Sequence, residues 1–149
     1  MSLFSLGNKV ALVTGALGLL GKEHCKALSE AGANVVVADL NGEACTTFAK
    51  SLKSESVGLE LDVSSKDSID SARRFVINQF GKIDVLVNNA AINDMFEDPK
   101  TNIEQSKFEN YSLQAWQQSI NVNLTGVFLC SQAFGSIMAE QSSGSIINI

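Results

Sequence analysis

Apolar positions along this chain fall into short continuous runs that alternate with stretches of helical spacing. KVALVTG (9–15) is a run of the kind that makes a buried strand, and Leu20, Ala27, Leu28 and Ala31 then recur at helical intervals up to Gly32, a helix-ending residue. NVVVAD (34–39) is a second buried run, and 42–53 carries a thinner helical stripe of Ala44, Phe48 and Leu52. VGLEL (57–61) alternates apolar and polar residues instead, as a strand with one covered face does at a sheet edge. Ser64 with Asp67 resembles a capping box, opening a helix whose stripe is Ile69, Ala72, Val76 and Phe80. KIDVLVNNA (82–90) supplies a fourth strand and SIINI (145–149) a fifth. Between them, 112–139 reads as one long helix bearing Trp116, Ile120, Leu124, Val127, Phe128, Phe134, Ile137 and Met138.

Five strands alternating with four helices predict an α/β fold in a single domain over 1–149. Strand–helix–strand connections are right-handed, so the product is a doubly wound parallel sheet covered on both faces, of the Rossmann-like kind. The strand order expected is 3-2-1-4-5, which puts the alternating third strand at an edge. Residues 92–111 form a segment long for a loop in a compact domain. Its mixed charges fit a solvated face, with a cover over a site as the alternative.

Composition narrows the class without naming it. The 149 residues are 45% hydrophobic and 18% charged, with a net charge of −5, an ordinary globular balance. No cluster of Lys and Arg exists to meet phosphates, Arg73–Arg74 being the densest pair, so nucleic acid is not an expected partner. No uninterrupted apolar run approaches the roughly 18 residues of a membrane span. MSLFSLGNKV also lacks the pattern of a secretory signal, so no membrane association and a cytoplasmic location are expected. Cys25, Cys45 and Cys130 show no CxxC spacing and read as reduced thiols, with no metal site. His24, the only histidine, falls on the packed side of the first helix, and Trp116 lies at core spacing.

The chemistry gathers at the ends of the strands. In VTGALGLLG (13–21), Gly15, Gly18 and Gly21 sit three apart between a buried strand and a helix. Glycines there allow a tight turn and close backbone approach, and the helix N-terminus offers free N–H groups to a pyrophosphate. Asp39 ends the second strand, 24 residues after Gly15. An acidic residue at that place accepts hydrogen bonds from adenosine ribose hydroxyls and repels a 2′-phosphate, which favours NAD over NADP.

These residues, with LDV (61–63), NNAA (88–91), NVNLTGVF (121–128) and GSIINI (144–149), make the chain resemble the N-terminal part of a short-chain dehydrogenase/reductase over essentially its whole length. The resemblance implies an oxidoreductase that interconverts an alcohol and a carbonyl on a small-molecule substrate, with NAD as cofactor and a homo-dimeric or homo-tetrameric full-length protein. It implies cofactor contacts at Gly15, Leu17, Gly18, Leu20 and Gly21, at Asp39, at Asp62 and Val63 against the adenine, and at Asn89, Ala90 and Ala91 toward the nicotinamide. Asn123 matches the asparagine that shapes the family's catalytic site.

Two departures qualify the resemblance. The commoner glycine loop, TGxxxGxG, would place glycine at 19, where this chain has Leu19; the TGxxGxxG spacing is similar to that of extended-type nucleotide-sugar epimerases. The family's catalytic tyrosine and lysine, in a YxxxK motif, have no counterpart: Tyr111 is the single tyrosine and Ala115 follows four residues later. The sequence is therefore expected to be the front portion of a longer enzyme, inactive by itself. A non-catalytic NAD-binding module is the alternative.

Overall fold

The computed structural model describes residues 4–93 and 107–149. The elements are β1 (Val10–Thr14), α1 (Leu19–Glu30), β2 (Asn34–Asp39), α2 (Gly42–Ala49), β3 (Val57–Glu60), α3 (Lys66–Phe80), β4 (Val85–Asn88), α4 (Leu113–Ile120), α5 (Val127–Glu140) and β5 (Ser145–Asn148). All strand pairs are parallel, and the sheet order is β3-β2-β1-β4-β5, as the sequence predicts. The alternating strand lies at one edge; β5, with Ile146 and Ile147 partly exposed, lies at the other.

One core lies on each side of the sheet. Leu12, Val36, Leu86, Ile69, Val76, Phe134 and Ile137 belong to the cluster that joins the sheet to α3 and α5. Val13, Val35, Val37, Cys25, Cys45 and Ala49 belong to the cluster beneath α1 and α2. Consecutive residues of β1 and β2 thus face opposite cores, which is why both strands are continuous apolar runs rather than alternating ones.

Several local expectations change. The buried line of α1 is Gly21, Cys25 and Ser29, whereas Leu20 and Ala27 face outward. Small side chains at i, i+4 and i+8 let the helix lie close to the sheet, and the larger apolar residues flank that seam. Gly32 follows the Ala31 C-cap with φ +99°, a conformation suited to glycine. The second helix ends at Ala49 instead of residue 53, and the backbone N–H groups of Ser51 and Leu52 turn back onto Phe48 and Ala49. At the start of α3 the cap is Ser65, whose Oγ accepts the Ser68 N–H; Ser64 bonds Asp62 instead.

The run 112–139 is not one uninterrupted α-helix. Asn121–Gly126 forms a π-helical turn between α4 and α5. Trp116, Leu124 and Phe128 are exposed while Cys130, Phe134, Ile137 and Met138 are buried, and the turn offsets the helical phase of α5 from that of α4. By length and composition Leu113–Glu140 is apolar enough to cross a bilayer, but the buried face of α5 is part of the core. The proposed cover segment, 92–111, falls largely outside the described residues.

Candidate functional site

At the C-terminal ends of β1, β2, β3 and β4 the chain surrounds a cleft of about 730 Å³. This is the switch point of a doubly wound sheet, where β1 is followed outward by β2 on one side and β4 on the other, and the loops separate.

The first wall is the turn from β1 to α1. Gly15 has φ +61°, and a Cβ on it would stand 2.7 Å from Ala90 Cα, so the loop passes directly over the chain leaving β4. A Cβ on Gly21 would stand 2.2 Å from Gly15 O, so this glycine lies beneath the loop and lets α1 begin there. Gly18 is the N-cap and provides no side-chain cap; the N–H groups of the first turn, Leu19 to Gly21, have no acceptor within the helix. That end is consequently a concave set of donors with a positive dipole.

Asp39 forms the second wall. Its Oδ2 accepts the Leu17 N–H at 2.9 Å and its Oδ1 the Leu40 N–H at 2.8 Å. Each oxygen keeps a lone pair for a further donor. Asp62, at the exit of β3, takes the Ser64 N–H and hydroxyl on Oδ1, leaving Oδ2 without a protein donor among the described residues. Below Asp39, the Cys45 thiol is buried. Burial first, and the neighbouring Asp39 carboxylate second, push it up to about 11, so it stays neutral at ordinary pH. Burial likewise pushes Cys25 and Cys130 up to about 12, in keeping with unreactive structural thiols.

Thr14 fastens the floor. Its Oγ1 accepts the N–H groups of Asn89 and Ala90, each at 3.0 Å, and the Asn89 side-chain amide donates to Thr14 O and Gly15 O at 3.0 Å. The β1 and β4 exits are thereby tied into one surface. Asn123 lies in the π-helical turn, where its Nδ2 donates to Ile92 O at 3.0 Å and its Oδ1 accepts the Ile92 N–H at 2.9 Å. Its amide thus holds the chain beyond Ala91 as a strand partner would.

Gly15, Leu17, Gly18, Leu20, Asp39, Asp62, Val63, Asn89, Ala90 and Ala91 all line the cleft; Gly21 and Asn123 do not line it but support residues that do. Sequence reasoning missed Leu19, Leu40, Leu61, Ile92, Asn93 and Val122 as lining residues, and Thr14 as the fastener. Thr14 carried a signal, since it is the polar end of an otherwise apolar buried run. The apolar ones had none, because ordinary apolar residues at element ends look like core, and Asn93 fell in the 92–111 segment, which the sequence pattern assigned to a solvated face or a cover. Among the described residues no Lys, Arg or His lines the cleft, and its two charged side chains are both aspartates.

An uncapped helix start behind a glycine turn, with a carboxylate at the tip of the neighbouring strand, defines a dinucleotide-binding α/β domain. The family model "short chain dehydrogenase" matches residues 9–149. The chain belongs to the short-chain dehydrogenase/reductase family, which implies a nicotinamide dinucleotide cofactor. It is 35% identical to a D-threitol dehydrogenase from Mycolicibacterium smegmatis, over 98% of this chain and 54% of that protein. With a 3-oxoacyl-[acyl-carrier-protein] reductase from Synechocystis sp. it shares 36% identity, over 97% of this chain and 56% of that one. A crystal structure of a short-chain type dehydrogenase/reductase from Mycobacterium marinum superposes with a TM-score of 0.87 at 31% identity, covering 98% of this chain and 55% of that one. The chain spans about half the length of these relatives.

Proposed function

We propose that residues 1–149 are the NAD-binding unit of an oxidoreductase that interconverts an alcohol and a carbonyl on a small-molecule substrate. The observation that carries the NAD reading is Asp39, a carboxylate held by two backbone N–H groups at the edge of a cleft where, among the described residues, no cation stands to offset a 2′-phosphate. The residues fit the cofactor: the first turn of α1 receives the pyrophosphate, Asp39 the adenosine ribose, and Asp62 with Val63 the adenine. Asn89, Ala90 and Ala91 border the nicotinamide half. A bound nicotinamide supplies hydride exchange with the substrate carbon. Asn123 supports the catalytic side by holding Ile92 in place.

The chain contains no YxxxK pair, so this unit binds cofactor without turning it over. Acid–base work toward the substrate oxygen belongs to residues outside this sequence in a full-length enzyme, which we take to be a cytoplasmic homo-dimer or homo-tetramer. The second reading is a non-catalytic NAD-binding module. Calorimetric titration of the 149-residue chain with NAD and NADP tests the cofactor assignment: saturable binding of NAD with much weaker NADP supports it, and equal affinities overturn it. Assaying the product of the natural coding sequence with alcohols and NAD separates enzyme from module, since only the enzyme forms NADH.

A further inference from the structure

Asp39 is aimed by backbone groups, and one of them, the Leu40 N–H, belongs to the turn that leads from β2 into α2. The position of α2 therefore bears on the direction of the carboxylate. Asn41 caps α2 through Oδ1, which accepts the Ala44 N–H at 3.0 Å, and Asn41 O accepts the Cys45 N–H at 2.9 Å. On its inner side α2 rests on β3 without any side chain between the two backbones at Gly58. A Cβ at Gly58 would stand 2.1 Å from Thr46 N and 2.4 Å from the Cys45 carbonyl carbon, and neither backbone atom can swing aside. One turn of sequence earlier, a Cβ on Gly42 would stand 3.1 Å from Glu60 Cβ. Cys45 is fully buried, and its thiol reaches the backbone of Leu59 and Asp39.

We propose that Gly58, which lies outside the cleft, is a specificity-determining positioning residue. By letting α2 sit directly on β3 it sets the depth of the Leu40–Gly42 turn, and so holds Asp39 where it meets ribose hydroxyls and repels a 2′-phosphate. The inference rests on the dinucleotide reading of the cleft. A wedge between α2 and β3 lifts the turn, moves the Leu40 N–H, and releases the carboxylate from its fixed direction. NAD then loses a partner while NADP loses a repulsion, so the two affinities converge.

Three variants of the 149-residue chain test this. Gly58→Ala inserts the wedge from the strand, and Cys45→Val inserts a milder one from the helix. The latter adds only about the bulk of one methyl group and keeps the test open if Gly58→Ala does not fold. Ala49→Gly weakens the buried C-terminal end of α2 without adding bulk beneath the helix, away from the turn, and controls for destabilisation alone. Amide exchange without nucleotide reads the Leu17 and Leu40 N–H groups directly; titrations read the NAD and NADP affinities. Gly58→Ala is expected to lose protection at both amides and to narrow the NAD-to-NADP ratio by about tenfold, and Cys45→Val by about threefold, within the reach of one charge-assisted hydrogen bond. Ala49→Gly should keep both readouts. A folded wedge variant that retains Leu17 and Leu40 protection overturns the proposal, as does an Ala49→Gly variant that narrows the ratio equally. Absence of dinucleotide binding by the unmodified chain would overturn the cofactor reading, and amide exchange would still decide whether Gly58 positions Asp39.

Discussion

Asp39 Oδ2 accepts the Leu17 N–H at 2.9 Å, so the acidic residue that ends β2 also pins the glycine turn between β1 and α1. Two features that lie 22 positions apart in the chain form one unit in space. The adenosine end and the pyrophosphate end of the cleft are consequently coupled before any ligand arrives.

Replacing Asp39 with Ala removes a charged acceptor and frees that turn. NAD should bind about 10- to 100-fold more weakly, the range of one or more lost charge-assisted hydrogen bonds, with a smaller loss for NADP. Titration with both dinucleotides checks this, and equal losses contradict the ribose role.

Gly18 and Gly21 should differ sharply although both belong to the same motif. An added Cβ at Gly21 meets Gly15 O at 2.2 Å, whereas at Gly18 it meets the same oxygen at 3.3 Å with φ −68°. Gly21→Ala should cost about 1–3 kcal/mol of stability by overpacking and abolish nucleotide binding; Gly18→Ala should cost less than about 1 kcal/mol. Urea denaturation of both variants gives the comparison.

Thr14→Val keeps the shape of the side chain but withdraws the oxygen shared by the Asn89 and Ala90 N–H groups. About 1–3 kcal/mol should be lost because donors are left unpaired, and Thr14→Ser should recover most of it. A serine variant as unstable as the valine one would assign Thr14 to packing alone.

Asp84 makes acid stability predictable in sign. Burial alone would raise its carboxyl, but the Val10 N–H and the ammonium groups of Lys9 and Lys82, 2.9 and 3.0 Å away, outweigh burial and hold it below its usual value. Its contribution is complete above the unfolded-state pKa of about 3.9 and disappears as pH falls through the lower folded value. Denaturation midpoints of the unmodified chain should fall over that interval. Asp84→Asn should be less stable at neutral pH and flatter below it.

Much of the sheet was legible because its strands are buried on both faces. NVVVAD could be bounded to the residue, and VGLEL was placed correctly at the edge, although α2 covers the face that the alternation marked as open, with Gly58 as the small residue beneath it. Helix faces were less legible. Cys25 and Ser29 line the inner seam of α1 in place of Leu20, because closeness to the sheet selects small residues there. Nor does the sequence pattern of 112–139 reveal the π-helical turn, or that Trp116, Leu124 and Phe128 face outward.

The sequence by itself determined the parallel α/β architecture, its strand order, and which short segments gather at the strand ends. Those follow from hydrophobic period, glycine placement and the handedness of crossovers, all local or nearly so. Only the tertiary structure decided how the segments bind one another: Asp39 on Leu17, Thr14 on Asn89 and Ala90, Asn123 on Ile92, and α2 on Gly58. Each of those contacts depends on backbone atoms, and a backbone N–H or carbonyl is the same in every residue. No letter in the sequence marks which one will be the partner until the sheet has closed the distance.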